Sequence, residues 1–231
     1  MANTIVPAEL LQSSGYNIKL GNTAGDSITT GEYNITVGNN AGTAISTGNR
    51  NVVIGASSGD AITTGAENVA IGTSSLTTNT TGSNNVAIGD QALSALTTAD
   101  NNTAIGTDAL TANTTGASNV AVGYEAGKDV TTGASNVLVG REVGAEATTG
   151  SFNTAIGHQA YAAGSASAAT GSNNVAVGYG ALYKATTADA NVAIGQYALL
   201  ENTTGNTNVA IGKYALDANT TADENVAVGY Y

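Results

Sequence analysis

Asn68-Val69-Ala70-Ile71-Gly72 is followed seventeen residues later by Asn85-Val86-Ala87-Ile88-Gly89. The same pattern, an Asn, three mostly aliphatic residues and a Gly, occurs thirteen times in the 231-residue chain. Its asparagines stand at 17, 34, 51, 68, 85, 102, 119, 136, 153, 174, 191, 208 and 225. Every step is 17 residues except 153 to 174, which is four longer. A fixed period running through nearly the whole chain is the mark of stacked like units, none of them stable alone.

Numbered from its Asn, the repeat carries Val, Ile or Thr at position 2 and Leu, Ile or Val at position 4. Branched aliphatics in alternation favour a strand over a helix. Position 3 is Ala in nine copies; Lys19, Thr36, Val53 and Leu138 are the exceptions. Both strand faces are therefore apolar, one filling the coil interior and the other meeting a neighbouring chain. The pattern alone does not say which is which. Position 5 is always Gly, including Gly55, Gly72, Gly89, Gly106 and Gly123, as expected for a bend with positive φ or a close backbone approach. The asparagines, among them Asn51, Asn68, Asn85, Asn102 and Asn119, fit a structural amide ladder along the stack.

Position 9 is either Gly or large, and position 12 compensates. Gly25, Gly42, Gly59 and Gly127 are followed by Ile28, Ile45, Ile62 and Val130, whereas Leu76, Leu110, Leu199 and Leu216 are followed by Asn79, Asn113, Asn202 and Asn219. Such a trade conserves core volume. Gly144 with Ala147, and Leu93 with Leu96, depart from it. Position 14 is Thr in all twelve complete repeats, usually after another Thr. The Thr pair suggests a second strand. Position 15 is Gly in nine repeats; in the other three it is Ala followed by Asp, which suggests two interchangeable turns.

The expected fold is all-β: a parallel β-solenoid of 17-residue coils over residues 17–231, with residues 1–16 as an N-terminal cap or attachment segment. A four-residue insertion near 162–169 forms a protruding loop. Twelve steps at ~4.8 Å give a rod of roughly 58 Å. The sequence ends at Val228-Gly229-Tyr230-Tyr231, just past the corner Gly229, and the expectation is that its tyrosines cover this end, that another subunit stacks there, or that the chain is part of a longer fibre protein.

Composition narrows function. There is no Cys, and His158 is the lone histidine. No catalytic pair, metal cluster or cofactor motif can be named, so the expectation is a non-enzyme without cofactor or metal. A formal charge of −11 disfavours nucleic acid and anionic membranes as partners. No stretch reaches the ~20 apolar residues of a membrane span, and the start has no basic leader. Calcium β-roll columns are missing, and a period of 17 does not fit three six-residue acyltransferase units. Adjacent Thr residues on a strand face opposite ways, which leaves one Thr column per face and places ice binding third among the readings. Tyr161, Tyr179, Tyr183, Tyr197 and Tyr214 gather in the C-terminal half as candidate receptor or interchain contacts.

The cores Asn153-Thr154-Ala155-Ile156-Gly157 and Asn208-Val209-Ala210-Ile211-Gly212 resemble the head repeats of trimeric autotransporter adhesins. The longer unit, Ile71-Gly72 through Leu76-Thr77-Thr78-Asn79-Thr80-Thr81-Gly82, looks more like repeats in bacteriophage fibre and whisker-type proteins. The resemblance covers residues 17–229. It implies a homotrimeric structural or adhesive fibre, virion-borne or extracellular, with a host-surface glycan or protein as partner. A self-assembling head-to-tail filament or an adhesin head is the alternative it leaves open.

Overall fold

The computed structural model describes residues 16–165 and 168–231. Most of the expected N-terminal segment, and residues 166 and 167 of the insertion, lie outside the described residues. Thirteen three-residue strands form one all-parallel sheet in chain order, from β1 (Ile18–Leu20) through β4 (Val69–Ile71) to β13 (Val226–Val228). Neighbouring strands pair one coil apart: Val69 faces Val86, Ala70 faces Ala87, Ile71 faces Ile88. The chain is a β-solenoid of 17-residue coils. Among the described residues no helix is long and apolar enough to cross a membrane.

The strand faces are assigned by burial. Position 3 points inward: Ala70, Ala87, Ala104, Ala121, Ala193 and Ala210 are fully buried. Positions 2 and 4 point outward and stay half-exposed, as in the intermediate–buried–intermediate pattern of β4. The interior is thus narrow and lined by small residues, with one large aliphatic from position 9 or 12 in most coils. Where position 9 is Gly, the position-12 side chain occupies the space of its missing Cβ. A Cβ on Gly42 would lie 2.7 Å from Ile45 Cδ1, and one on Gly59 would lie 2.8 Å from Ile62 Cδ1. Behind Leu76, Leu110 and Leu199 at position 9, position 12 is a buried Asn that caps the next corner. Asn79 donates Nδ2–H to the Gly82 carbonyl at 2.9 Å and accepts the Gly82 amide at 3.0 Å. Leu93 and Leu96 are both fully buried in one coil, which nothing in the structure explains.

The asparagine row at position 1 is buried from Asn17 to Asn208 and hydrogen-bonded from coil to coil. Asn51 Oδ1 accepts from both the backbone N–H and the Nδ2–H of Asn68, at 3.0 and 3.1 Å. Asn68 Nδ2 also donates to the Gly82 carbonyl across its own coil, at 2.9 Å. Asn68 Oδ1 then accepts from Asn85 in the same way. Position-5 glycines adopt φ near +135° (Gly72), and a Cβ there would collide with the carbonyl of Gly89 on the next coil.

No second strand accompanies the first among the described residues; each coil contributes one. The rest of the coil alternates right- and left-handed backbone. Ser74 (φ 53°) at position 7, Leu76 (φ 52°) at position 9 and Glu67 (φ 59°) at position 17 are left-handed, as are their equivalents along the rod. The alternation turns amides up and down the axis. Asn40 donates back to the Asn22 carbonyl at 3.0 Å, while Gly42 donates forward to Ser58 at 2.9 Å. In the Thr segment the amides of Ser46, Thr47 and Gly48 all reach the Thr63 carbonyl, at 3.0, 3.3 and 3.3 Å. Strand propensity in Thr-Thr is overridden because one carbonyl serves three donors and no ladder forms. Both threonines face outward. Position-13 hydroxyls bond the next coil's carbonyl, as Thr63 does to Thr80 at 2.9 Å, and position 14 is exposed.

The Gly and Ala corners share one device at position 16. Asp100 Oδ1 accepts the Ser83 amide at 2.7 Å, and Ser83 Oγ accepts the Ala66 amide at 3.0 Å.

Asn68→Ala strands buried partners on three sides: Asn51 Oδ1 loses one donor, Gly82 loses one, and the Asn85 amide loses its acceptor. The expected loss is about 1–3 kcal/mol for each group left unsatisfied. Exposed Thr81→Ala changes stability by no more than about 0.5 kcal/mol. Denaturant melts of the two variants against wild type provide the check.

Candidate functional site

Positions 6 and 7 follow the corner Gly and project from the rod beside the sheet. In the C-terminal coils they carry a column of rings. The His158 and Tyr179 centroids are 5.3 Å apart, Tyr179 and Tyr197 4.9 Å, Tyr197 and Tyr214 5.4 Å, and Tyr214 and Tyr231 5.4 Å. Tyr230 meets Tyr231 edge-on at 4.7 Å. The Lys213 ammonium lies 5.1 Å from the Tyr214 ring centre. Hydrogen bonding to Tyr179, with desolvation, pushes the Tyr197 phenol up to about 12. The ring of Tyr197 lies over Gly180, where a Cβ would come within 2.8 Å of it. Glycine there is what admits the ring.

Tyr183, at position 10, stands apart from this column and forms the wall of a groove. Gln159, Tyr179, Gly180, Tyr183, Lys184, Tyr197, Leu200 and Glu201 line a cavity of about 240 Å³. Lys184 Nζ and Glu201 Oε2 form an ion pair at 2.7 Å along it. A second hollow of about 140 Å³ shares Gln159 and Tyr183 and is lined otherwise by Glu125, Glu142, Glu146, Ala145 and Ala162. The insertion, a short 3-10 turn at Ala163–Ser165, packs on this groove: a Cβ on Gly164 would lie 3.2 Å from both the Tyr183 ring and the Lys184 side chain.

Charge in the second hollow is ordered around Glu142. Its Oε2 accepts from Gln159 Nε2 at 2.8 Å, Arg141 lies 2.7 Å from its Oε1, and His158 Nε2 lies 3.6 Å from Oε2, beyond hydrogen-bond reach. The Gln159 hydrogen bond, helped by Arg141 and His158, holds the Glu142 carboxyl below the usual glutamate range. Glu146 is raised, by burial first. Among the described residues no group of three or more His, Cys, Asp or Glu is placed to hold a metal.

Tyr161 is a correction to the surface-contact set. It is 1% exposed and fills the position-9 core slot with a left-handed φ of 53°. Its hydroxyl donates to the Gly171 carbonyl at 2.6 Å, the same corner acceptor that Asn79 serves in its own coil. Burial raises its phenol strongly. Its position in the repeat, a slot otherwise held by Gly or Leu, was the available signal. Tyr179, Tyr197 and Tyr214 lie together in the column, with Tyr183 beside them. Gln159, Lys184 and Glu201 complete the groove, and Glu142 lines the hollow beside it; none of these four was read as a site residue from sequence. A separate pair, Tyr16 and Tyr33, stacks at 5.1 Å and 3° near the other end of the rod.

The outer face of the sheet is the other large surface feature. Positions 2 and 4 make two parallel rows of Val, Ile and Leu, interrupted by Thr103 and Thr154. Ile105 is 37% exposed and Ile156 41%. Two rows over ~58 Å amount to a strip on the order of 500 Å², near the upper end of what single chains expose. No known protein family, curated protein or solved structure matches the chain.

Tyr161→Phe leaves the ring in place and removes one donor from the Gly171 carbonyl, and should lower stability by about 1 kcal/mol in thermal or denaturant melts. Glu142 gives a pH signature. Its pKa is lowered in the fold, so its contribution is present above the ordinary glutamate value of about 4.3 and is lost as pH falls through the depressed folded value. The Tm difference between wild type and Glu142→Gln should be measurable at neutral pH and should vanish in strong acid.

Proposed function

We propose that the chain is a non-enzymatic structural and adhesive fibre segment, assembled as a homotrimer and borne on a virion or outside a cell. A phage fibre or whisker-type protein is the form that the repeat resemblance favours. The observation that carries the proposal is the outward apolar strip along the sheet. Its rungs recur at the strand spacing, so the surface that matches it in register over its length is another copy of the same strip. The three-fold count comes from the resemblance to adhesin heads. In such a rod the work is geometric: stiff coils hold the corner tyrosines and the insertion at fixed intervals, and three copies multiply weak contacts. A self-assembling extracellular filament or an adhesin head uses the same strip and is the second reading.

Light scattering after gel filtration should give three times the 22.6 kDa chain mass at all concentrations. Ile71→Glu combined with Ile105→Glu places carboxylates on the strip without touching the coil interior. This variant should run at the single-chain mass with an unchanged circular-dichroism spectrum. A wild-type monomer would end the proposal, and mass growing with concentration would favour the filament.

A further inference from the structure

Seven of the ten tyrosines lie at or beyond residue 161. The C-terminal ring column starts at His158, in the coil that carries the insertion, and runs unbroken to Tyr231. The same coil and the next two build the groove. Upstream, position 7 holds small or polar residues such as Thr23, Asn40, Ser57 and Ser74, in keeping with its left-handed backbone. Tyr197 and Tyr214 take that position at φ 60° and 62°. Gly180 answers Tyr197 by leaving the space its ring covers.

We propose that this groove and the column leading from it bind a linear, uncharged oligosaccharide. The attachment reading supplies the biological setting, but the groove belongs to one chain and does not need the trimer. Three features select the ligand. Tyr179 and Tyr197 offer apolar ring surface at a solvent-open groove, and Tyr183 walls it, which suits the apolar C–H faces of a pyranose. Gln159, Lys184 and Glu201 place donors and acceptors around these rings for hydroxyl groups. The rings continue in file along the axis, one per coil, so they meet successive units of a chain. A protein partner would instead call for a clustered anchor in a closed pocket. A volume of about 240 Å³, below the ~300 Å³ of small drug-sized sites, seats one end of the ligand while the rest lies on the open column. Glu125, Glu142 and Glu146 in the adjoining hollow, on a chain of net charge −11, turn away acidic sugars.

The test uses the whole chain and three neutral series, cello-, chito- and malto-oligosaccharides, with oligogalacturonate as the acidic comparison. With no tryptophan among the ten tyrosines' neighbours, a change in tyrosine fluorescence reports binding, its loss in Tyr197→Ala assigns it to the column, and calorimetry gives affinity. At least one neutral series should bind saturably, with oligogalacturonate at least about tenfold weaker. Tyr197→Ala should weaken binding about tenfold or more, and Tyr197→Phe, which keeps the ring, should stay within about threefold of wild type. Tyr33→Ala, in the stack at the other end, should bind as wild type. Circular dichroism on each variant verifies the fold. Saturable binding by none of the neutral series overturns the proposal. So does undiminished binding in folded Tyr197→Ala, or equal binding of oligogalacturonate. A monomer that binds sugar sinks the trimeric fibre and leaves this site standing; a trimer that binds none does the reverse.

Discussion

The buried asparagine row is the constraint on which the rest of the rod depends. An amide in a dry interior is costly unless both its ends are paired. Here the pairing is possible only from the coils above and below and from the facing corner. Asn68 takes its acceptors from Asn51 and Gly82 and gives its oxygen to Asn85. A slip of one residue would remove every such partner at once and turn the position-2 and position-4 aliphatics inward. The ladder therefore fixes both the coil length and the register. The long coil obeys it too: Asn174 donates its amide to Asn153 Oδ1 at 3.0 Å across 21 residues. Extra residues are accepted where they can bulge between ladder points.

That constraint explains the rest of the packing. A coil closed by an amide row at one corner and by glycines stacked on carbonyls at another has a narrow interior. Only Ala fits easily at position 3, and one larger aliphatic per coil fills what remains, from position 9 or position 12. Left-handed residues at positions 7 and 17 would each be disfavoured by about 1 kcal/mol in isolation. They persist because each is held by an amide bonded to the preceding coil, as Arg50 is to Glu32 at 2.9 Å. Stability is thus shared along the axis, and no single coil carries its own.

The strand, its register and the amide row were legible because each recurs at one period, so thirteen noisy copies reinforce a single pattern. The direction of the strand was not legible, since Ala on one face and Val or Ile on the other are both apolar. It was the inside diameter, set by the corners, that placed Ala within. Thr-Thr misled for a different reason: its strand propensity is intrinsic, whereas the convergence of Ser46, Thr47 and Gly48 on one carbonyl is a property of the stack. Tyr161 was readable in principle, because position 9 holds core residues in the other coils. Counting tyrosines by region rather than by position hid it. The groove could not be read, because Tyr183 and Lys184 acquire their neighbour Gly164 only through the path of an insertion that has no copy elsewhere.

Regularity and function pull against one another in such a rod. Identical coils give length and stiffness, but a surface of identical coils distinguishes nothing along its axis. Distinction has to come from positions that the ladder and the core leave free, which are the outward corners at positions 6, 7, 10 and 17. The chain varies these most, and around the long coil it varies them together. Ring residues replace small ones, Gly180 makes room for Tyr197, and the insertion settles on Tyr183. None of these changes touches an Asn of the row or a position-5 Gly. The periodic part of the sequence thus builds a scaffold indifferent to what its corners carry, and the departures from period mark where the surface of the rod differs along its axis.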